Sequence, residues 1–367
     1  MFRGFLAVCN LLIVGALLLS AYSAYINPNS IWQFSFAGLL FPPLALLNML
    51  FVCWWIFRKP WFSLLSITAL LLCHQQLKVT FAANFPNKEE AEHTIKVMSW
   101  NVKNFDLYNW TGNVKTRKEM LDLIRQEAPQ VLCLQEFYSD QGVIMNNVRY
   151  LRDTLGYTYF HFEPTIELDR IHCNKPIHQQ WGEATFSKFP IVKANRVDFK
   201  NSRSNDCIYS DLKIGSDTLR VYNMHLQSIH LDEKDYNAIQ KMEASQVPDW
   251  IPLKRIARKM KFSYCTRASQ AEQVAKVIRK YKGKQVVCGD LNDVPVSYTY
   301  NTIVGSKNLQ DAFVAKGWGI GRTFVSLYSY FRIDYILASS NLQIQQYHSS
   351  ARQLSDHFPA IASFSLE

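Results

Sequence analysis

The stretch KQVVCGDLNDVPVS, residues 284–297, decides how most of this chain is interpreted. Its apolar run QVVC predicts a short buried strand. Asp290 and Asn292 follow at the carboxyl end of that strand, two residues apart and therefore on the same side of an extended chain. A carboxylate and an amide in this position are ordinarily turn formers, so the other strand ends decide whether a site is present.

Other predicted strands carry polar residues at their ends in the same way. These residues are Asn101 after KVMSW, Glu136 after VLCLQ, His225 after RVYNM, Asp334 within RIDYIL, and Asp356 and His357 before FPAIASF. Because strand ends can converge at one edge of a sheet, this many carboxylates, imidazoles and amides indicate a shared site rather than separate turns.

The strand-like runs alternate with helix-like stretches over residues 94–367. This alternation predicts one α/β domain, large enough to build a core between sheets. Residues 228–267 exceed the usual length of a connection and are rich in Lys and Arg, so we predict a helical basic insertion there.

These residue types suit the hydrolysis of a phosphodiester, which must overcome negative charge on the phosphoryl oxygens, a poor nucleophile and an alkoxide leaving group. Mg²⁺ is typically held by carboxylates together with waters and substrate phosphate. Glu136 and Asp356, beside the amide oxygen of Asn101, suit that role. His225 and His357 are the candidate acid and base, since imidazole titrates near neutral pH.

The ordered set of motifs resembles a known family. The motifs are SWNV at Ser99, LQE at Leu134, GEATFSKFPI at Gly182, NMHL at Asn223, GDLNDVPVS at Gly289, RIDYIL at Arg332 and SDHFP at Ser355. On these residues the chain from about Ile95 to Leu366 is identified as a membrane-anchored bacterial member of the endonuclease/exonuclease/phosphatase (DNase I-like) superfamily. The resemblance implies a four-layer α/β/β/α sandwich with a hydrolase site at one edge, dependent on a divalent metal, Mg²⁺ or Mn²⁺.

The resemblance also implies roles for individual residues. Glu136 is similar to the principal metal ligand of the family, with Asn101 and Asp356 assisting. Asp290 resembles the residue that aligns or deprotonates the attacking water. Asn292 resembles its neighbour that binds phosphate.

The histidines and their carboxylate partners complete the set. His357 resembles the catalytic histidine, and Asp334 the carboxylate that fixes its tautomer; an ion pair of Asp334 with Arg332 is the alternative. His225 is similar to the second histidine, which stabilises phosphoryl oxygens or protonates the leaving group. Glu183 is expected to orient His225, unless it is only a surface residue after a glycine turn.

The substrate remains open at this level. The histidine at position 225 argues against the abasic-site endonucleases, and GDLNDVPVS lacks features of the inositol polyphosphate 5-phosphatases. Nucleic acid and phospholipid headgroups remain as phosphodiester substrates, and no protein partner can be inferred. The segment Lys254 to Lys261 could contact a nucleic-acid backbone, an anionic bilayer or only solvent. A non-catalytic module that binds a phosphorylated ligand is the alternative function.

Residues 1–82 differ in kind from the rest, because the first acidic residue of the chain is Glu89. We predict a membrane region there, followed by a linker over residues 83–93. Its apolar runs are Phe5 to Ile26, Ile31 to Phe57 with a kink expected at Pro42 and Pro43, and Trp61 to about Phe81. A cleaved signal peptide is the alternative for the first run.

The basic residues beside these runs predict their orientation. Arg3 precedes the first run, and Arg58 and Lys59 separate the second from the third. The positive-inside rule keeps both positions in the cytoplasm. Three spans, which we favour, then place the catalytic domain on the outer (periplasmic) side of a bacterial-type inner membrane, with residues 5–81 in contact with lipid. Two spans would leave the domain in the cytoplasm.

The cysteines do not settle the compartment. Cys133 and Cys288 lie in apolar strand-like runs, where a buried inert thiol is expected. Cys173, Cys207 and Cys265 lie in polar segments and could form a disulfide if the domain is exported.

Overall fold

The computed structural model describes residues 2–85, 94–172, 175–199, 205–245, 249–325 and 331–366. Most of the predicted linker and Cys173 lie outside these residues. The chain forms two compact units, one of residues 1–74, 227–272 and 296–301 and the other of residues 75–226, 273–295 and 302–367. Each cysteine in the described residues is a free thiol, and Cys133, Cys207 and Cys288 are buried.

The N-terminal helices follow the apolar runs. They are α1 (Phe2–Tyr22), α2 (Pro28–Ile31), α3 (Ser35–Leu39), α4 (Phe41–Arg58), α5 (Pro60–Leu72) and α6 (His74–Thr80). Two stretches, Arg3–Tyr25 and Phe41–Arg58, are long and apolar enough to span a membrane. The pair α5 and α6 would make a third span if the two helices, bent by 67°, form one crossing.

The predicted kink at Pro42 and Pro43 is wrong, because these prolines begin a helix. They occupy the first turn of α4. The N–H groups of a first turn have no intrahelical partner, so proline costs nothing there. The preceding residues of the same run include the short helix α3 instead of continuing a span.

Helices α1, α4 and α5 pack together, bury polar as well as apolar side chains between them and expose large apolar side chains outside. Ser66 of α5 donates a hydrogen bond of 2.7 Å to Oδ1 of Asn10 in α1, and both side chains are buried. Leu12, Leu50 and Leu72 are 67%, 57% and 67% exposed. Large apolar side chains exposed in this way, with polar groups buried between helices, are typical of helices that face lipid.

After Thr80 the chain alternates between strands and helices. In chain order these are β1 (Ala82–Ala83), β2 (Ile95–Asn101), α7 (Thr116–Glu127), β3 (Val131–Asp140), α8 (Asn147–Asp153), β4 (Tyr159–His172), β5 (Lys175–Ser187), β6 (Ile191–Val197), β7 (Asp206–Ile214), β8 (Asp217–His225), α9 (Glu233–Ser245), α10 (Trp250–Lys280), β9 (Lys284–Asp290), α11 (Tyr298–Gly305), β10 (Gln310–Asp311), α12 (Ala312–Lys316), β11 (Trp318–Gly319), β12 (Asp334–Ala338), β13 (Gln343–Ser349) and β14 (Ala360–Ser365).

Two mixed sheets organise the second unit. Within the described residues one sheet has the strand order β13-β14-β2-β3-β5-β4, and the other has β10-β12-β9-β8-β7-β6. Each has a parallel pair at its centre, β2 with β3 and β8 with β9, flanked by antiparallel strands. The two sheets therefore repeat one topology, and the ends of their central strands come to one edge.

The core lies between the sheets. Val97 and Cys133 of the first sheet belong to one buried cluster with Val221, Cys288 and Ile336 of the second. The cluster contains no charged side chain, so burial of apolar surface holds the sheets face to face.

Helices cover the outer faces of both sheets. Leu132 in the first sheet packs in a second cluster with Met120 and Ile124 of α7. Gln285 in the second sheet donates a hydrogen bond of 3.5 Å to the carbonyl of Ile278 in α10. The predicted four-layer α/β/β/α sandwich is confirmed.

A buried ion pair stabilises the second sheet, and we predict its energetic role. Arg332 donates to Asp311 at 2.8 Å, and their side chains are only 1% and 3% exposed. Asp311→Ala would leave a buried charge without its carboxylate and should lower the free energy of unfolding by about 3–5 kcal/mol. Thermal or urea unfolding of the full chain in detergent measures this. Asp153→Ala, at an exposed ion pair, is the control and should leave stability unchanged; an equal loss in both variants would contradict the prediction.

Candidate active site

The predicted strand ends meet at one edge of the sandwich. Asn101 ends β2, His225 ends β8 and Asp290 ends β9. The strand register places Asp290 opposite His225 on one side and opposite Asp334 on the other. Each strand is buried along its length, so its polar terminal residue is the first that reaches the site.

The sequence suggested that Glu136 ends its strand, but β3 continues to Asp140. The register with β5 shifts between Leu134 and Phe137, and Glu136 takes a φ of 48°. A bulge with a left-handed residue turns a side chain away from the alternation of the strand. Here it directs the Glu136 carboxylate to the edge where Asn101 lies.

His357 and Asp334 form a buried dyad. Nδ1 of His357 lies 2.9 Å from Oδ2 of Asp334, and its Nε2 lies 3.7 Å from Oδ2 of Asp290. The ring is held edge-on against Phe324, with centroids 4.9 Å apart. The alternative pairing of Asp334 with Arg332 does not occur, since Arg332 is bound to Asp311.

His225 lies among three carboxylates. Its Nδ1 is 3.6 Å from Oε1 of Glu183, and its Nε2 is 3.8 Å from Oε1 of Glu136 and 3.7 Å from Oδ2 of Asp290. Glu183 is 1% exposed, so the alternative of a surface residue is wrong. The Glu183 carboxylate can fix the orientation of the ring and leave Nε2 directed into the site.

Burial and charge set the pKa values of these groups. Burial alone lowers the pKa of both histidines, but Asp334 and Asp290 raise the pKa of His357 to about 10. Glu183, with Asp290 and Glu136, raises the pKa of His225 to about 9. Burial raises the pKa of Asp290 to about 6 and that of Glu183 to about 7. At neutral pH the histidines are therefore cationic and Asp290 is largely an anion.

The two amides connect the carboxylates. Nδ2 of Asn101 donates to Glu136 and to Asp290, each at 3.1 Å, while its Oδ1 accepts the N–H of Lys103. The amide nitrogen therefore faces the two carboxylates, and the amide oxygen faces the backbone of Lys103. Asn292 donates its backbone N–H to Asp290 at 2.8 Å and one amide hydrogen to the carbonyl of Leu226 at 2.9 Å. The second amide hydrogen of Asn292 is the donor that a phosphate oxygen would need.

Asp356 lies beside a cavity and is paired with Lys103. Its Oδ2 accepts from Lys103 at 2.7 Å. Burial raises the pKa of Asp356, but the charges of His357 and Lys103 outweigh burial and hold the pKa below its usual range. A cavity of about 420 Å³ opens next to this pair and is lined by Trp110 and Gln353, among others.

The donor set suits a hard divalent cation. Glu136 is 35% exposed on its side chain and Asp356 is 31% exposed, so both can keep waters around a bound ion. Asp290, Asp334 and His357 also offer ligand atoms within 4.8 Å of one another. Both sets of residues therefore offer ligand atoms to an ion at this edge.

Sequence reasoning missed two charged residues of this edge. Lys103 follows Asn101 outside the strand, and nothing local links it to Asp356. Asp206 begins β7 opposite His225 in the register, and burial raises its pKa to about 6. The strand-end pattern points only to carboxyl ends of strands, whereas an antiparallel partner brings its first residue to the same edge.

A family model described as the endonuclease/exonuclease/phosphatase family matches residues 98–243 and 266–357. The chain belongs to the endonuclease/exonuclease/phosphatase family. Members of the family are phosphoesterase hydrolases, and the family in general uses a divalent metal. A second model, described as a domain of unknown function (DUF8431), matches residues 3–80. No curated protein matches the chain significantly.

Solved structures share the fold of this family member. An endonuclease/exonuclease/phosphatase from Beutenbergia cavernae is 17% identical, with a TM-score of 0.51 over 75% of this chain and 72% of the other. The human Nocturnin catalytic domain, solved with a bound sulfate anion, is 20% identical, with a TM-score of 0.51 over 74% and 94%. A family protein from Bacteroides vulgatus is 16% identical, with a TM-score of 0.50 over 75% and 100%.

Proposed function

We propose that this protein is a membrane-anchored phosphoesterase that depends on a divalent metal and cleaves phosphodiester bonds by in-line attack of water. The convergence of Glu136, Asp290 and two carboxylate-paired histidines, His225 and His357, at one edge carries the proposal. The family match supports phosphoester hydrolysis in general. The complete site argues against a non-catalytic binding module, which has no need for paired acid and base groups.

Asp290 and Asn292 act on the nucleophile and the phosphate. Asp290 is buried and largely ionised at neutral pH, so its carboxylate can orient a water and take its proton. Its Oδ1 is held by the N–H of Asn292, which fixes the direction of the carboxylate. The amide of Asn292 then donates to a phosphoryl oxygen beside the attacked phosphorus.

The two histidines act on the charge that develops. His357, held by Asp334, presents Nε2–H toward the space beside Asp290, where it can donate to a phosphoryl oxygen. His225 presents Nε2 from the opposite side and can donate a proton to the leaving oxygen. Both are cations at neutral pH, so they stabilise a transition state richer in negative charge than the substrate.

The metal would be held by Glu136, assisted by Asp356, and Mg²⁺ or Mn²⁺ fits such oxygen ligands. When bound, it would neutralise charge on the phosphoryl oxygens. Asn101, whose Nδ2 donates to Glu136 and Asp290, positions these carboxylates rather than binding the metal. Lys103, Trp110 and the cavity beside Asp356 suit the group attached to the scissile phosphate, which we expect to be a nucleotide or a phospholipid headgroup.

Metal removal tests the proposed function. The purified full chain should hydrolyse at least one of bis(p-nitrophenyl) phosphate, DNA and a choline phospholipid with Mg²⁺ or Mn²⁺. EDTA should lower the rate by at least about a hundredfold, because neutralisation of phosphoryl charge is lost, and excess Mg²⁺ should restore it. Ca²⁺ at equal ionic strength controls for salt effects. No metal-dependent turnover of any substrate would count against the proposal.

We also propose that three spans place the catalytic domain on the outer side of the membrane. The segment between α1 and α4 contacts α10: Asn27 donates to Glu272 at 2.8 Å, and the rings of Phe36 and Tyr264 lie 5.5 Å apart. This segment and α10 therefore belong on the same side of the membrane. If α4 and the α5–α6 pair each cross the membrane, the segment and α10 both lie on the outer side. Arg3 and the Arg58–Lys59 turn then both stay in the cytoplasm.

Cysteine labelling predicts a distinct pattern for this topology. Ser30→Cys and Ser216→Cys should react with a membrane-impermeant maleimide in intact spheroplasts, above the signal of the parent chain. Lys59→Cys should react only after permeabilisation, because the positive-inside rule keeps it in the cytoplasm. All three positions are exposed. Labelling of position 30 alone in intact spheroplasts, with positions 59 and 216 reacting only after permeabilisation, would indicate two spans and a cytoplasmic domain instead.

A further inference from the structure

The basic insertion divides its cations between two environments. Arg255 donates to Asp235 at 2.7 Å, and Lys259 donates to Asp232 at 3.0 Å. Lys254 and Arg258 are exposed and form no ion pair with another described residue. The first two cations thus hold α9 and α10 together, whereas the others remain available to an external anion.

The available cations share one side of α10 with large apolar side chains. At 3.6 residues per turn, an arc of about 120° contains a set that we name the α10 basic face. Its members are Trp250, Ile251, Lys254, Arg258, Lys261 and Phe262. Trp250, Ile251 and Phe262 are 68%, 82% and 61% exposed. Burying such apolar groups would lower the free energy of the protein, and the cations beside them select an anionic surface.

The opposite side of the same helix is already used for packing. Ser263, Tyr264 and Arg267 are 1%, 2% and 1% exposed, and Arg267 donates to the carbonyl of Gln227 at 2.8 Å. The outward direction of the α10 basic face is therefore set by well-packed contacts rather than by a freely rotating helix.

The α10 basic face begins where the chain leaves the predicted membrane. Nζ of Lys261 lies 5.9 Å from the ring centre of Trp32, and Asn29 donates to Ser269 at 3.3 Å. Both Trp32 and Asn29 belong to the segment that directly follows the first candidate span, Arg3–Tyr25. From Lys261 the face extends about 16 Å to Trp250, at 1.5 Å per residue.

We infer that the α10 basic face rests on the anionic headgroups of the membrane, with Trp250, Ile251 and Phe262 inserted at the interface and Lys254, Arg258 and Lys261 on lipid phosphates. Nucleic-acid backbones would use the cations but leave the three apolar side chains without a partner, which favours lipid. The inference rests on the proposed membrane anchoring and adds a second contact, which fixes the domain against the bilayer.

Photo-crosslinking of the full chain in nanodiscs tests this inference. p-Benzoylphenylalanine replaces Ile251 or Phe262 on the face, and Leu12 in α1 as a probe of the bilayer itself. The same substitution at Leu253, on α10 but about 120° from the centre of the face, is the matched control. Nanodiscs contain either zwitterionic lipid alone or added anionic lipid, and a DNA oligonucleotide is present in each. Mass spectrometry identifies the adducts.

We expect lipid adducts at positions 12, 251 and 262. Those at 251 and 262 should increase by roughly fivefold or more in anionic nanodiscs. The triple variant Lys254→Glu, Arg258→Glu and Lys261→Glu should reduce them to a similar degree. The first comparison uses unchanged cations, so misfolding of the charge-reversed variant cannot hide the result. Adducts at 12 but not at 251 and 262, equal adducts at 253, or DNA adducts in place of lipid would each overturn the inference. Absence of lipid adducts at position 12 would overturn the proposed membrane anchoring as well.

Discussion

Glu136→Gln should lower kcat/KM for a phosphodiester by about a thousandfold or more, because Glu136 is the carboxylate that best fits the metal. A thousandfold corresponds to about 4 kcal/mol of lost transition-state stabilisation, which is within the range for removing one ligand of a catalytic cation. Gln keeps the size of the side chain at a position whose φ is 48°, so the fold is not strained further by the change. Initial rates at saturating Mg²⁺ measure the effect.

A second readout separates metal binding from other roles. Mg²⁺ should raise the unfolding temperature of the parent chain, since a ligand that binds only the folded state stabilises it, and this increase should disappear in Glu136→Gln. Glu167→Gln, at an exposed carboxylate of β4, is the matched control and should keep both rate and shift. Retention of more than about a tenth of the activity in Glu136→Gln would show that Glu136 is not the principal ligand.

His357→Ala should lower kcat by about a thousandfold, and Asp334→Asn by about a hundredfold or more. His357 can supply a proton donor to the phosphoryl oxygens only while Asp334, 2.9 Å away, holds its Nδ1. An amide at position 334 can hydrogen-bond the wrong tautomer and removes the negative charge that keeps the ring cationic. Steady-state rates with bis(p-nitrophenyl) phosphate give both values.

The double variant shows whether the two residues act as one unit. If Asp334 works through His357, Asp334→Asn combined with His357→Ala should be no slower than His357→Ala alone. Asp311→Asn, in the neighbouring buried pair with Arg332, is the control: it should reduce stability while the folded molecules keep their kcat. Multiplied losses in the double variant would assign Asp334 an independent role.

The six strands β2, β3, β8, β9, β12 and β14 could be predicted from the sequence because each has a local signal. Apolar runs with a polar last residue predicted β2, β8 and β9, and the structure ends these strands at Asn101, His225 and Asp290. Glu136 was identified in the same way. The direction of its side chain was not predicted, because the bulge arises from pairing with β5 and has no signature in VLCLQEFY.

The apolar N-terminal helices were also predicted in part from local signals. Apolar length identified α1 and α4, because a helix that crosses lipid must be continuously apolar. Whether Pro42 and Pro43 kink a helix or lie in its first turn depends on where that helix begins. The start of α4 is set by how the segment after Ile26 folds. Contacts of that segment with α10, such as Phe36 with Tyr264, join residues that the sequence separates widely.

The sequence by itself therefore determined the apolar N-terminal runs and the set of acidic and imidazole groups, since apolar length and strand ends are local properties, and its ordered motifs implied the family and the sandwich fold through their resemblance to known members. Only the tertiary structure decided the partners: Asp334 with His357 rather than Arg332, Glu183 with His225, and Lys103 with Asp356 across 253 positions of sequence. Pairing of distant charges depends on strand register and sheet packing. The physical reason is that electrostatic and hydrogen-bond energies depend on distances in space, which one-dimensional patterns do not specify.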